Sequence, residues 1–405
     1  MSAASTLGLD AARAVDPSAY SISGATPRHA VRPATREELV ESIRAAATDD
    51  LKIVPWGGGV SLHMVGPPAR YDVAIDLTAL NRIVEYDPDD LTITAECGIT
   101  LHALREALAA RGQELPLEGA RADVATFGGA LTANTSAARR VRFGAPVDRI
   151  LGARFVLGDG TLARTGGRVV KNVAGYAIHR LLCGSRGGLG IIVEASLKLM
   201  PRPETRRVLV FGASAAQISD PARWAVFPRM EPAALTIVGR EVARTLHVAT
   251  PTPNDFVVVA GFEDEAHWVA QQVGMTTQVL GEPEVIIEGD EAFEMWDSLA
   301  DLEEHPAPRV SFTTSRRSPT ALAALVNTGH GEALVFHALA GRLHVRVDPA
   351  AAPELEGALQ GDGFAVIDRR GVPAPEPTVA GAAVREMRKR LRAALDPGSR
   401  FALGG

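Results

Sequence analysis

Apolar residues recur along this chain with two alternating spacings. In "ATREELVESIRAAATDD" Leu39, Ile43 and Ala47 return every four positions, and Thr35 with Glu38 has capping-box spacing, so the run predicts a helix. The short apolar runs "LKIVP" and "DVAIDL" (72–77) predict strands. In "RIVEYDPDDLTITAECG" Leu91, Ile93 and Ala95 alternate with polar partners, which predicts a hairpin turning at Asp87 to Asp90. "TLHALREALAARG" is an amphipathic helix that Gly112 stops. "RILGARFVLGDGTLART" is a second hairpin with Asp159 and Gly160 in its turn. "GYAIHRLLCGSRGGLGIIVEASLKLMPRP" runs from helix through glycines to strand and breaks at Pro201 and Pro203. Strands alternating with helices exclude an all-helical fold.

After about residue 205 the pattern continues without glycine clusters. "ALTIVG", "DFVVVAGF", "EALVFHAL" and "RLHVRVD" predict strands; "DEAHWVAQQVGM", "SPTALAALVNT" and "AAPELEGAL" predict helices. The expected division is a loose lead-in over 1–30, a first domain over 31–204, a smaller α+β domain over 205–380, and a last helix over 381–405 that returns to the first domain. That helix carries Val384, Met387, Leu391 and Leu395 on one stripe, and its five basic residues read as a solvated face. The fold class is α+β.

The 405 residues are 46% hydrophobic and 22% charged, enough for two or three domains with large cores. A net charge of −6 is not that of a nucleic-acid-binding surface. Two cysteines, Cys97 and Cys183, are too few for a disulfide scaffold or a cysteine-built cluster and fit a reducing compartment. With no secretory signal and no run of about 20 apolar residues, the expectation is a cytoplasmic protein whose membrane contact, if any, comes through partners.

The chemistry gathers at three glycine clusters: "PWGGGVSL" (55–62), "ATFGGALTANTSAA" (125–138) and "CGSRGGLGIIVE" (183–194). Glycine lets main-chain N–H groups approach an anion closely. Neither a P-loop nor a G-x-G-x-x-G opening a helix is present, which argues against a nucleotide triphosphatase and a Rossmann site. Loops spread over 130 residues fit one long ligand with a diphosphate in its middle.

"PWGGGVSL", "ATFGGALTAN", "RRVRFGAPVDRILGARFVLGDGTL", "GGRVVKNVAGYAIHRLLCGSRGGLGIIVEASLKLMPRPE" and "LRAALDPGSRF" resemble, in order, the FAD-binding domain of the p-cresol methylhydroxylase and vanillyl-alcohol oxidase family. The nearest pattern within it is the FAD-binding E subunit of bacterial glycolate oxidase. The resemblance covers residues 35–205 and thins afterwards. It implies a two-subdomain FAD-binding domain followed by an α+β cap. By this likeness Trp56, Gly57, Gly58, Gly59, Val60 and Ser61 form the pyrophosphate loop. Thr126, Gly128, Gly129, Ala133 and Asn134 form the second loop, Gly144 and Asp148 match a third element, and Gly187, Gly190, Ile191 and Ile192 run past the adenosine half and the flavin edge. Ala177 and Arg186 stand where relatives carry acidic residues. His63 lacks the setting of a covalent flavin tether, so the implied FAD is non-covalent.

Catalytic relatives oxidise a 2-hydroxy acid by passing hydride to flavin, and D-type relatives use an H-x-G-D-G-N-x-H run, often with a metal. That run is not found here. The nearest text, "NTGHGEALVFHALAGRLHVRVDP", holds His330, His337 and His344. With Ala340 and Gly341 as a two-residue turn, His337 would lie opposite His344, with Arg342 and Arg346 on the same solvent-facing side. Leu334, Phe336, Leu343, Val345 and Val347 would fill the core side. Two histidines lack a third ligand, so no metal is expected. Arg309, Arg316 and Arg317 are further cationic candidates, and Trp268 and Trp296 are expected to pack the second domain. The resemblance implies an FAD subunit of a glycolate-oxidase-type 2-hydroxy acid dehydrogenase, working with a D-type FAD subunit and an iron–sulfur subunit. The alternatives are a self-sufficient D-lactate or 2-hydroxyglutarate dehydrogenase, or a non-catalytic FAD-carrying relay.

Overall fold

The computed structural model describes residues 13–62, 67–134, 138–169, 175–248, 255–304, 307–316, 318–322, 325, 333–370 and 379–403. The chain divides into two compact units. One comprises 1–135, 145–202 and 376–405; the other comprises 136–144 and 203–375.

The first unit holds two larger sheets and a two-stranded ladder that pairs Gln113–Glu114 with Met200–Pro201. Strands β1 (His29–Val31), β2 (Ile53–Trp56) and β3 (Val73–Asp76) form a parallel sheet in the order β1-β3-β2. Helix α1 (Arg36–Thr48) begins where the capping spacing predicts, with the Thr35 hydroxyl accepting from the Glu38 N–H. It buries Leu39, Ile43 and Ala46 against Val31, Ile53, Val73 and Ile75. Alternation then dictates the second sheet: β4 (Ile83–Asp87), β5 (Thr92–Glu96), β6 (Ile150–Val156), β7 (Leu162–Gly166) and β8 (Ile191–Lys198), antiparallel in the order β4-β5-β8-β6-β7. One face of this sheet shares a core with α2 (Leu101–Ala109) and α3 (Phe127–Ala133). Helix α4 (Ile178–Leu182) leads into the third glycine cluster.

Residues 13–30 are not the loose lead-in expected. Tyr20, Ile22 and Ala30 are buried, and the Tyr20 hydroxyl donates to the buried Asp76 carboxylate at 2.6 Å. Arg32 Nε meets the same oxygen at 2.7 Å, so the apolar residues of this stretch are held by a charge-assisted hydrogen bond.

The second unit is built on one antiparallel sheet of eight strands: β9 (Thr205–Ala213), β10 (Ala234–Gly239), β11 (Phe256–Asp264), β12 (Val285–Glu288), β13 (Arg309–Thr314), β14 (Leu334–His337), β15 (Arg342–Arg346) and β16 (Phe364–Arg370), in the order β12-β9-β11-β10-β14-β15-β13-β16. Helices α5 (Ala266–Leu280) and α7 (Ala352–Gly361) share a core with one face. Helix α6 (Gly289–Glu304) shares a core with the other, through Ala292, Met295, Trp296 and Leu299. Trp296 packs as expected, whereas Trp268 is 49% exposed and lies against His267. The short helix Arg140–Phe143 belongs to this unit, fixed by Arg139, whose guanidinium lies 2.9 Å from Glu263, both ends buried.

Helix α8 (Val379–Leu395) is grouped with the first unit, and its stripe is divided: Leu391 and Leu395 are half-buried, whereas Val384 and Met387 are exposed. What ties this stretch down follows the helix. The Asp396 carboxylate accepts from the Arg400 and Phe401 N–H groups, and Phe401 bridges to Ile53.

Candidate functional site

The three glycine clusters, far apart in sequence, meet in the first unit. The first follows the carboxyl end of β2, where ligand crevices of open parallel sheets lie. A Cβ on Gly57 would fall on the Thr126 hydroxyl and one on Gly58 would fall 1.9 Å from the Val124 carbonyl oxygen, so the first cluster lies directly on the second. The second is joined to the third by Gly184 N–H donating to Leu131 O and Arg186 N–H donating to Thr132 O, at 3.2 and 2.9 Å. The third closes back on the first, because a Cβ on Gly187 would meet Pro55 Cγ at 2.8 Å. Main chain unshielded by side chains is what a large polar nucleotide needs on its surroundings.

Within this group Thr126 caps α3, its hydroxyl accepting the Gly129 N–H. Asn134 ends α3 in a left-handed conformation (φ 52°), and its side-chain oxygen accepts the Val147 N–H. Trp56 stacks edge-on against Tyr20 and lies under Gly59. Val60, Ser61 and Ala133 are half-buried on the converging segments.

Other expected site residues make contacts of their own within the protein. The Asp148 carboxylate accepts the Ala145 N–H at 2.8 Å, closing the first turn of the helix Pro146–Arg149. Ile191 and Ile192 bury their side chains in two different cores, Gly128 packs on Cys97, and Gly190, at φ 159°, lies beside the Val156 carbonyl. Gly144 lies in the other unit, at the end of the helix Arg140–Phe143. His63, much of "VKNVAGY", Arg317 and His330 lie outside the described residues.

The second unit carries a distinct polar group. Alternation placed the apolar residues of β14 and β15 correctly, since Leu334, Phe336, Leu343, Val345 and Val347 all lie in one core. The register differs from the two-residue-turn reading. A 3₁₀ turn over Ala338–Ala340, closed by Gly341 at φ 62°, pairs His337 with Arg342 and Val335 with His344. A Cβ on Gly341 would strike the Thr314 carbonyl. The histidines still share a face, offset by two residues along the strands, and that face is covered rather than solvated: His337 is 1% exposed and His344 8%.

The cover supplies what the sequence reading lacked. Glu303, in the last turn of α6, sets its carboxylate 2.5 Å from His337 Nε2 and 3.4 Å from His344 Nε2. The far ring nitrogens are held too: His337 Nδ1 lies 2.9 Å from the Thr236 hydroxyl and His344 Nδ1 2.9 Å from the Ser311 hydroxyl. One ligand-type atom from each of Glu303, His337 and His344 lies within 4.8 Å of the others, a set able to hold a divalent cation. Burial alone would raise the Glu303 carboxyl, but His337, His344 and Arg309 together pull it down to about 2. Burial pushes the His344 imidazole down to about 3. An ionised carboxylate and a neutral imidazole are the forms that bind metal. Arg309 is buried near this group, and Arg342 is held below its usual basicity by burial and by Arg140. Arg346 instead pairs with Glu241 at 2.7 Å, and Arg316 is exposed.

Glu303 was missed because it comes from a helix 34 residues upstream of His337. A signal existed: it continues the stripe Ala292, Met295, Trp296, Leu299 and Ala300, an acid at a position where that helix is otherwise apolar.

Residues 27–166 match the family described as FAD binding domain. The glycolate oxidase subunit GlcE of Escherichia coli is 36% identical over 194 residues, 47% of this chain and 55% of that protein. The glycolate oxidase subunit GlcD of Bacillus subtilis is 31% identical over 199 residues, 48% of this chain and 42% of that protein. The chain thus spans about half the length of these curated relatives. The crystal structure of p-cresol methylhydroxylase with substrate bound superposes with a TM-score of 0.70 at 17% identity, covering 94% of this chain and 88% of that one, so the fold is shared.

Proposed function

We propose, from the premise that residues 27–166 form an FAD-binding domain and that FAD is the cofactor, that the chain oxidises a 2-hydroxy acid as one subunit of a glycolate-oxidase-like assembly. The converging segments around Gly57, Gly58, Thr126, Asn134 and Gly187 would hold the nucleotide without a covalent bond, their exposed main chain facing its diphosphate. Bound FAD supplies the two-electron acceptor for the substrate hydride. The observation that carries the reading beyond FAD binding is the buried Glu303–His337–His344 group, which a simple FAD carrier does not need.

That group fits a divalent cation, whose charge would polarise the substrate hydroxyl and carboxylate. Thr236 and Ser311 would orient the imidazoles, so that His337 and His344 present Nε2. Arg309 and Arg342 would attract the substrate carboxylate. Glu303 keeps its charge at neutral pH and balances these cations.

The test is anaerobic addition of glycolate, D-lactate or 2-hydroxyglutarate to the FAD-loaded chain, alone and with its co-purifying partners, while the visible absorbance of oxidised flavin is followed. Bleaching by one acid, lost in Glu303→Gln with FAD still bound, is the expected result. Bleaching unchanged in that variant would refute the role of the group, and no bleaching in either preparation would refute the activity.

A further inference from the structure

Helix α8 shows an uncovered face that neither the FAD site nor the Glu303 group uses. Residues 383–390 are all exposed, with Val384 at 53% and Met387 at 57%. At the α-helical advance of about 100° per residue, Val384, Met387, Leu391, Ala394 and Leu395 fall within an arc of roughly 100°. Arg388 and Arg392 border one margin of that arc, Arg390 borders the other, and Arg385 and Lys389 lie beyond the first. The one acid among residues 383–395, Glu386, lies towards the back, paired with Arg390 at 3.5 Å. Five basic residues against one acid stand out in a chain of net charge −6. The helix is anchored at one end: Arg392 bonds the Phe401 carbonyl, and Arg400 pairs with Asp50 at 2.7 Å.

We propose that α8 lies on an anionic lipid surface, with the exposed part of its apolar stripe, Val384 and Met387, in the headgroup boundary and Arg385, Arg388, Lys389 and Arg390 on the phosphates. Cations on both margins of a straight apolar stripe, with the acid turned away, match a flat negative plane. A second copy of the same face would set four exposed cations against four, so self-pairing is disfavoured. Among the described residues no helix is long and apolar enough to cross a membrane, so the contact is peripheral. This differs from the expectation that membrane contact comes only through partners.

The experiment is co-sedimentation of the full, FAD-loaded chain with vesicles of phosphatidylcholine alone or mixed with phosphatidylglycerol, at low and high salt. Binding to the mixed vesicles only, released by salt, is expected. Arg388→Gln with Arg390→Gln should lower the partition coefficient about 30-fold, and Met387→Asp should lower it as well. Glu386→Gln should raise it by about five-fold, a gain that misfolding cannot produce. FAD content should be unchanged in all of them. Failure to bind the mixed vesicles, equal binding to both kinds, or partition indifferent to these substitutions overturns the proposal. So does a self-association that Met387→Asp abolishes, or stable capture of an acidic protein partner without vesicle binding.

Discussion

Gly58→Ala is the sharpest test of the converging segments. Its new methyl would stand 1.9 Å from the Val124 carbonyl oxygen, where ordinary contact begins near 3.4 Å. That carbonyl cannot swing aside freely. Val124 and Ala125 N–H groups both donate to Arg121 O, at 2.9 and 2.8 Å, and Ala125 O accepts from Leu101 N–H at 2.9 Å. The first segment must therefore shift away from the second. Overpacking of this kind costs roughly 1–3 kcal/mol, which corresponds to about a 5- to 150-fold loss of FAD affinity if it falls on the holo geometry. In Gly57→Ala the atoms nearest the new methyl belong to the Thr126 side chain, which can rotate but then gives up its cap on Gly129 N–H, about 1 kcal/mol or roughly five-fold. Gly274→Ala, in α5 with nothing within 4 Å, serves as control and should stabilise the fold by about 0.5–1 kcal/mol without touching FAD. Flavin fluorescence quenching on titration of apoprotein gives the affinities, and circular dichroism confirms folding. A folded Gly58→Ala that binds FAD as tightly as the parent would refute the close-approach argument.

Three further outcomes are expected. Elemental analysis after dialysis against zinc or manganese should find about one equivalent bound, lost in Glu303→Ala and weakened about 10- to 100-fold in Thr236→Val, which frees His337 Nδ1; equal metal in all three would refute the ligand set. Arg139→Met leaves the buried Glu263 with Trp296 Nε1 at 3.0 Å and Arg206 at 3.6 Å, and should lower stability by about 3–5 kcal/mol, much of it restored by Glu263→Leu; a melting temperature unchanged in the single variant would contradict the pairing. Burial raises the Cys183 thiol to about 12 and the fully buried Cys97 thiol well above its usual value, so neither should react with a disulfide reagent at pH 8 until denaturant is added; prompt labelling of either in the native chain would contradict that burial.

Local signals made the first unit readable. Capping at Thr35, alternation in "LTITAECG" and the Asp159–Gly160 turn each act within a few residues, and the glycine clusters marked their own convergence by needing no side chains. In the second unit the faces of β14 and β15 followed from alternation, but their register depended on a 3₁₀ turn that the Ala–Gly pair does not announce. Strands β9 and β16 went unread beside more regular neighbours, and α6, with Glu303, went unread as well. Glu303 becomes chemical only when α6 packs across the sheet, a contact between segments that no local pattern encodes. Asp148 shows a second local role that the motif reading did not contain: its carboxylate closes a helix turn.

Residues 138–144 belong to the second unit, although the described chain on either side of them belongs to the first. A chimera that exchanged 203–375 as a cassette would bring Glu263 without its Arg139, leaving the buried carboxylate only the more distant Arg206 and the Trp296 N–H. Grafting this unit onto another scaffold therefore requires two excisions rather than one, the shorter carrying the counter-charge of the longer.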